Sequence, residues 1–319
     1  MSSQLIAPPE TLQKERLLVI DFGSQVSHLI CRRVREAGVY CEMRSCQLTA
    51  EEAQRFNPNG VILSGGPHSV YDADGPHLAK EVWEIIEELQ LPVLGICYGL
   101  QEMCHVFGGQ VEPGEKREFG HADFYTRDDL SVPSEVKAAR GCSALFKDIS
   151  SEHGKLQVWM SHGDKVTRLP ESFVSSGYTA NTEFASIESV KRRMYGVQFH
   201  PEVTHTPAGG QMIRNFVVNI CGMKGDWNMH DFCRIQVESI VKGLDGKYVV
   251  GAVSGGVDSS VAAALVHKAV GSRFKPFLVD TGLLRKDEAS LVKARLEAHI
   301  PGMELKVLDA SRQFYSELA

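Results

Sequence analysis

The sequence predicts an α/β protein: a doubly wound, mostly parallel sheet, followed by the first part of a second, Rossmann-like α/β domain. Three observations predict this arrangement. Short apolar runs lack polar alternation, amphipathic stretches separate them, and a second βαβ pattern begins after a polar, glycine-containing segment. The chain has 319 residues, a length suited to roughly two domains.

The first elements follow one another in βα order. Leu17–Ile20 predicts a strand and Ser24–Ala37 the helix after it, which Gly38 ends. Gly60–Leu63 and Leu91–Ile96 predict two further strands. Their apolar residues do not alternate with polar ones, so both faces of each strand are expected to be covered.

The pattern changes over residues 111–189, where helical periodicity fades. Short runs such as Leu156–Met160 and Phe184–Ile187 predict antiparallel strands at the edge of the sheet. Tyr195–Phe199 then predicts a return to a core strand, and Gly210–Ile220 predicts a helix.

These patterns divide the chain into four parts. Residues 1–15 are expected to be a flexible tail, 16–221 the first domain, 222–228 a linker, and 229–319 the incomplete start of the second domain. The elements predicted for the second domain are a helix at 229–243, a strand at 248–253, a helix at 257–270 and a strand at 277–280.

Composition excludes several functional classes. The formal net charge of −6 argues against a nucleic-acid surface, and no apolar run is long enough to span a membrane. The eight cysteines form no C-x-x-C pair and are expected to be reduced. The tail lacks the features of a signal peptide, so a cytoplasmic location is expected.

The segment Gly95–Gly99 predicts a nucleophile elbow centred on Cys97. It follows an apolar strand and precedes a predicted helix, whose N-terminus favours a thiolate. His200 and Glu202 supply a base and an orienting carboxylate, because residues two apart in an extended segment point to the same side. The competing interpretation of Cys97 alone is a buried core thiol.

Two backbone segments are candidates for stabilising an oxyanion. The N–H of Tyr98 follows the nucleophile directly, and Gly66 belongs to a Ser-Gly-Gly-Pro run after the strand that ends at Leu63. Both segments are expected at the carboxyl edge of the sheet, where open α/β sheets bind ligands.

Together these motifs resemble the class I (triad) glutamine amidotransferases, over about residues 16–222. The resemblance implies that Cys97 forms a γ-glutamyl thioester and releases ammonia. It further implies a glutamine site, for which a zwitterionic substrate needs acceptors and small residues. The implied glutamine-binding residues are Gly65, Gly66, Gln101, Ser161, Gly163 and Asp164.

A second motif, Val253–Ser260, lies between a predicted strand and helix. Its glycines and hydroxyls suit phosphate oxygens at a helix N-terminus, although it has no P-loop lysine. It resembles the pyrophosphate loop of the ATP pyrophosphatases, which implies ATP and Mg²⁺. The alternative is a simple helix cap. The implied ATP-binding residues are Ser254, Gly255, Gly256, Val257, Asp258, Ser259, Ser260 and Asp280, with Asp258 as the candidate Mg²⁺ ligand.

The order of the two modules resembles the glutamine-hydrolysing GMP synthase family. This implies ATP-dependent amination of XMP through an adenylyl intermediate, and a homodimer formed through a C-terminal domain that this chain lacks, so we expect a truncated chain. Two alternatives stay open: ammonia supply to another adenylated acceptor, or a non-synthesising module that binds glutamine and nucleotide. The intact triad argues against the second alternative.

Overall fold

The computed structural model describes residues 15–127, 144–150, 155–244 and 246–318. These residues form two compact units, divided between Asn228 and Met229. Of the predicted flexible tail, only Glu15 lies within the described residues. Among the helices of the described ranges, none combines the length and apolar composition that a bilayer-spanning helix needs.

The first unit is a nine-stranded sheet flanked by helices. Its strands are β1 (Arg16–Asp21), β2 (Tyr40–Ser45), β3 (Gly60–Leu63), β4 (Val93–Ile96), β5 (Gln110–Thr126), β6 (Lys155–Arg168), β7 (Val174–Tyr178), β8 (Ser186–Ser189) and β9 (Met194–Val197). Its helices are α1 (Ser27–Glu36), α2 (Ala50–Phe56), α3 (Lys80–Glu88), α4 (Tyr98–Val106) and α5 (Gly209–Arg214), the last continued by a π-helical turn, Asn215–Ile220.

The strand order is β2-β1-β3-β4-β9-β8-β7-β5-β6. The five strands from β2 to β9 pair in parallel, and the remaining four extend the sheet with antiparallel pairing. This confirms the predicted doubly wound sheet with antiparallel strands at one edge. Strands β3 and β4 are buried along their whole length, as expected for strands covered on both faces.

Two of the boundaries that differ from the sequence prediction have a clear physical cause. Helix α1 begins at Ser27 rather than at Ser24, because the carboxylate of Asp21 accepts hydrogen bonds from the backbone of Gly23 and Ser24 and holds them in a turn. Strand β4 begins at Val93, since the preceding Leu91 donates its N–H to the end of α3 instead.

The second unit begins with α6 (Met229–Leu244). It continues through β10 (Val249–Ala252), α7 (Val257–Val270), β11 (Phe274–Asp280), α8 (Glu288–His299), β12 (Lys306–Asp309) and α9 (Ser311–Leu318). Its three strands pair in parallel in the order β10-β11-β12, which confirms the βαβ pattern predicted for this part of the chain. An apolar core lies between this sheet and its helices.

Candidate active site

Cys97 lies at a sharp turn between β4 and α4. Its backbone has φ +51° and ψ −104°, so a non-glycine residue is held in the left-handed half of φ/ψ space. Such strained conformations persist where the surrounding structure holds them and are enriched at functional sites. The side chain lies at the N-terminus of α4, whose partial positive charge favours an anionic sulfur.

The glycines on either side of Cys97 are required by close packing rather than by their own dihedral angles. A Cβ atom on Gly95 would lie 2.6 Å from the carbonyl oxygen of Gly99. A Cβ atom on Gly99 would lie 2.5 Å from the carbonyl oxygen of Leu63 in β3. The elbow therefore packs tightly on the neighbouring strand, while Cys97 itself carries the backbone strain.

His200 and Glu202 form a buried pair beside the elbow. His200 Nδ1 lies 2.7 Å from Glu202 Oε1, and Glu202 is 1% exposed. Burial disfavours a charged imidazole, but contact with Cys97 and the hydrogen bond to Glu202 outweigh it and raise the pKa of His200 to about 10. Glu202 Oε2 is buried without a hydrogen-bond partner among the described residues. This arrangement suits a base that is oriented from behind by a carboxylate.

The two glycines that follow β3 pack against the same site. A Cβ atom on Gly65 would lie 3.2 Å from His200 Cε1 and 3.7 Å from Cys97 Cβ. A Cβ atom on Gly66 would lie 3.3 Å from the ring of Tyr98. A larger residue at Gly65 would therefore crowd Cys97 and His200, and one at Gly66 would crowd Tyr98.

A cavity of about 390 Å³ opens next to Cys97. The predicted glutamine-binding residues that line it are Gly66, Gln101, Ser161, Gly163 and Asp164. The carbonyl oxygen of Ser161 lies 3.8 Å from Cys97 Sγ. Tertiary structure thus brings residues from the loop after β3, from α4, from β5 and from β6 together around one thiol.

Asp164 already has partners on the cavity wall. Its carboxylate accepts hydrogen bonds from Ser69 and, at 2.8 Å, from the hydroxyl of Tyr71. Its carbonyl oxygen accepts a hydrogen bond of 3.0 Å from Gln101 Nε2. A carboxylate has more acceptor positions than these two donors occupy, so it can still meet a cationic group.

The structure adds residues that the sequence did not single out. Gln198 Nε2 donates to Cys97 Sγ at 3.6 Å. Arg117 lines the cavity, and its Nε lies 3.7 Å from the position of a Cβ on Gly163. Gln198 could have been noticed because it lies two residues before His200, whereas nothing around Arg117 in the sequence sets it apart.

The predicted phosphate loop of the second unit joins β10 to α7. Gly255 has φ +79°, and a Cβ atom there would lie 2.4 Å from Val292, so only glycine fits. The hydroxyls of Ser254 and Ser259 lie 3.1 Å apart across the loop. Of the predicted loop residues, Ser254, Gly256, Val257 and Asp258 are exposed, and Gly255, Ser259 and Ser260 are half-buried.

Asp258 and Asp280 occupy different places around this loop. Asp258 is in the first turn of α7, where the N-cap residue is Gly256 and has no side-chain cap. Asp280 ends β11 and accepts a hydrogen bond of 2.9 Å from the backbone of Gly282. Since β10 and β11 are parallel, the loop and Asp280 lie at the same carboxyl edge. Within the described ranges, no group of three His, Cys, Asp or Glu side chains could hold a metal ion.

Comparisons with known proteins identify the family to which the first unit is similar. The family Glutamine amidotransferase class-I matches residues 18–220. A glutamine-hydrolyzing GMP synthase from Rhizobium etli is 47% identical over 309 residues, which is 97% of this chain and 56% of that protein. One from Schizosaccharomyces pombe is 45% identical over 306 residues, 95% of this chain and 54% of that protein. The chain thus spans about half the length of the curated relatives it matches.

A solved structure from Thermoplasma acidophilum, described provisionally as one of the subunits of a GMP synthase, is 27% identical with a TM-score of 0.55. It covers 65% of this chain, and the match covers 94% of that protein. The resemblance expected from the sequence motifs is confirmed by these similarities. Because the family match covers most of the chain and contains the Cys97 elbow, His200 and Glu202, the chain belongs to the class-I glutamine amidotransferase family.

Proposed function

We propose that the first unit hydrolyses glutamine to glutamate and ammonia, with Cys97 as the nucleophile. The observation that carries this proposal is the placement of Cys97 on a strained elbow beside His200, whose ring is held 2.7 Å from Glu202. The adjacent cavity of about 390 Å³ is lined by polar groups from several elements and can hold an amino acid.

In the first half of the reaction, Cys97 Sγ attacks the carboxamide carbon of glutamine. The negative charge that develops on the oxygen is stabilised by the backbone N–H groups of Gly66 and Tyr98. His200 gives a proton to the departing nitrogen, which leaves as ammonia, and a γ-glutamyl thioester remains on Cys97.

In the second half, water attacks the thioester carbon. His200 accepts a proton from that water, the C–S bond breaks, and the thiolate of Cys97 reforms as glutamate leaves. Glu202 takes no part in the bond changes, because its role is to orient the imidazole and to stabilise its charged form.

Side chains on the cavity wall bind the charged ends of the substrate. The carboxylate of Asp164 suits the α-ammonium group of glutamine, and the guanidinium of Arg117 suits its α-carboxylate. The backbone at the small residues near Cys97 lets the substrate approach closely. The other groups assigned to glutamine are Gly65, Gly66, Gln101, Ser161 and Gly163.

Glutamate and ammonia release in the absence of any acceptor tests this activity. We expect the wild-type chain to release both in equal amounts, and Cys97→Ala to release neither. Cys233→Ala is the matched control, because it removes a thiol from the second unit. Equal rates for wild type and Cys97→Ala would exclude Cys97 as the nucleophile.

For the second unit, we propose that the segment from Ser254 to Ser260 binds the phosphates of ATP. The loop fits this role, because a Cβ atom on Gly256 would contact only Ser254 Oγ, at 3.5 Å, and the hydroxyls of Ser254 and Ser259 lie at a helix N-terminus. Asp280 is assigned to the nucleotide at the same edge. Asp258, exposed in the first turn of α7, is assigned to Mg²⁺, which would offset phosphate charge when bound.

For the whole protein, we propose ATP-dependent amination of XMP to GMP, in which ammonia from the first site displaces AMP from an adenylyl-XMP intermediate. The support is the name of its relatives, which are 43–48% identical over nearly the whole chain. A homodimer belongs to the same proposal. The reaction is tested by GMP formation from XMP, ATP–Mg²⁺ and either glutamine or ammonium. AMP release that requires a different acceptor would instead favour another adenylated substrate.

A further inference from the structure

Glu118 and His162 form a buried polar pair that the hydrolysis scheme does not use. They lie opposite each other in the β5–β6 pairing, just after a register irregularity between Pro113 and Glu118. Glu118 is 8% exposed and His162 is 6% exposed. His162 Nε2 lies 3.1 Å from Glu118 Oε2. Burying polar and charged side chains costs free energy unless they are paired, so a buried pair outside the reaction calls for a functional explanation.

His162 also lines the cavity beside Cys97. His162 Nδ1 lies 2.9 Å from the carbonyl oxygen of Asp164. Both neighbours of the ring, a carboxylate and a carbonyl, are hydrogen-bond acceptors. The ring of His162 thus bridges the Glu118 carboxylate and the carbonyl oxygen of Asp164.

Three further side chains donate hydrogen bonds to Glu118. Its carboxylate accepts hydrogen bonds from Thr182 Oγ1, from Asn181 Nδ2 at 3.2 Å and from Thr179 Oγ1 at 3.4 Å. These donors belong to one tight turn, in which the backbone N–H of Thr179 donates to the carbonyl of Thr182. The carboxylate thus has four hydrogen-bonding partners, as suits a group that orients another residue.

From His162, hydrogen bonds continue to the nucleophile. The carbonyl of Asp164 also accepts from Gln101 Nε2 at 3.0 Å. Gln101 Nε2 donates to Gln198 Oε1 at 3.2 Å, and Gln198 Nε2 lies 3.6 Å from Cys97 Sγ. The position of the Asp164 carbonyl oxygen therefore affects Asp164 and Gln101, two of the residues assigned to glutamine. Through Gln101 it also affects the orientation of Gln198, which donates to Cys97 Sγ.

We propose that Glu118, acting through His162, is a positioning residue that holds Asp164 and Gln101 in place for glutamine binding. This inference rests on the glutamine site of the proposed function. Neither Glu118 nor His162 needs to touch the reacting atoms. Their removal is therefore expected to weaken substrate binding more than it slows the chemical steps.

The decisive measurement is the affinity for glutamine in a Cys97→Ala background, by calorimetry, where no hydrolysis is needed. We expect Glu118→Gln to weaken binding about tenfold, the effect of losing one charge-assisted hydrogen bond. Glu112→Gln is the matched control: it makes the same change on the same strand at an exposed residue outside this network. In the hydrolysing chain, the KM of Glu118→Gln should rise by a similar factor while kcat changes less than about twofold.

A conservative substitution separates positioning from simple stability. His162→Asn keeps a donor near the position of Nδ1 and loses the contact with Glu118, whereas His162→Ala loses both. The affinity for glutamine should be lower in His162→Asn than in wild type, and lower again in His162→Ala. Glu118→Gln should add little in the His162→Ala background, because the two residues act as one unit. All variants are compared by thermal midpoint and circular dichroism.

The outcomes distinguish the two proposals. If Cys97→Ala binds glutamine and responds to Glu118→Gln, but the wild-type chain releases no ammonia, hydrolysis is wrong and the positioning role stands. If hydrolysis proceeds and Glu118→Gln leaves both affinity and KM unchanged, or lowers only the thermal midpoint, the positioning role is overturned. The absence of any glutamine binding would overturn both.

Discussion

His200 Nδ1 lies 2.7 Å from Glu202 Oε1, and this buried pair supports the imidazole beside Cys97. Only Pro201 separates the two residues in the chain. The carboxylate contributes to the raised pKa of His200 and fixes which ring nitrogen faces the sulfur.

Glu202→Gln should therefore lower glutaminase kcat by about 100-fold without abolishing turnover, because an orienting carboxylate is lost while nucleophile and base remain. The pKa of His200, followed by NMR titration, should fall from about 10 toward its ordinary value of 6.5. Glu183→Gln, at an exposed site, serves as the control. An unchanged kcat in Glu202→Gln would show that Glu202 has no role in glutamine hydrolysis.

A glutamine-analogue electrophile such as 6-diazo-5-oxonorleucine should label Cys97 before any of the other seven cysteines. Cys104, on the same helix, provides the comparison, since burial raises the pKa of its thiol to about 12 and it is fully buried. Peptide mapping by mass spectrometry at partial modification is the measurement. First labelling at Cys104 or Cys31 would contradict the assignment.

Gly99→Ala should destabilise the first unit by about 1–3 kcal/mol and reduce glutaminase activity, because overpacked sites must move their neighbours. Here the new Cβ would lie 2.5 Å from the carbonyl oxygen of Leu63 and would push the elbow away from β3. Urea unfolding and activity assays check both effects. Gly210→Ala, where a Cβ meets open space, should leave both unchanged, and equal losses in the two variants would contradict this account.

The stability contributed by Glu118 should depend on pH. Burial opposes its ionisation, but hydrogen bonds from His162, Thr182 and Asn181 outweigh burial and lower its pKa to about 2, below the ordinary 4.5. Because the pKa of Glu118 is lower in the folded state than in the unfolded state, ionised Glu118 stabilises the fold above about pH 4.5. This contribution to stability is lost as the pH falls through about 2.

Glu118→Gln should thus be less stable than wild type near neutral pH, with the difference shrinking as the pH falls from 4.5 toward 2. Urea unfolding midpoints at a series of pH values measure this. Glu112→Gln on the same strand should show no such trend. A difference between Glu118→Gln and wild type that is independent of pH would contradict an ionised Glu118.

Ser254→Ala should weaken binding of ATP–Mg²⁺ by about 5- to 10-fold, the loss expected from one hydroxyl hydrogen bond to a phosphate, and leave basal glutamine hydrolysis intact. The reason is that the loop and the Cys97 site belong to separate compact units. Calorimetry with ATP–Mg²⁺ and the glutaminase assay give the two readouts. Ser272→Ala, at an exposed position away from the loop, is the control, and parallel loss of both activities would argue for one merged site.

Much of the fold and the centre of the site could be predicted from local sequence. Apolar runs without alternation predicted the buried parallel strands, because a strand covered on both faces has no polar side. The glycines around Cys97 predicted a tight turn after such a strand. His200 and Glu202 could be paired because they lie two positions apart in one segment.

The remainder of the site was decided only by tertiary structure. Arg117 and Glu118 carry no local pattern that marks them, and they come close to Gly163 and His162 through the pairing of β5 with β6, including its register irregularity. Such pairing joins residues about 44 positions apart, and a shift of one residue would turn each side chain to the other face. Local sequence thus determined the candidate nucleophile and its candidate base. Long-range strand pairing determined the surrounding hydrogen bonds, because no short-range rule specifies which residues of two distant strands lie opposite each other.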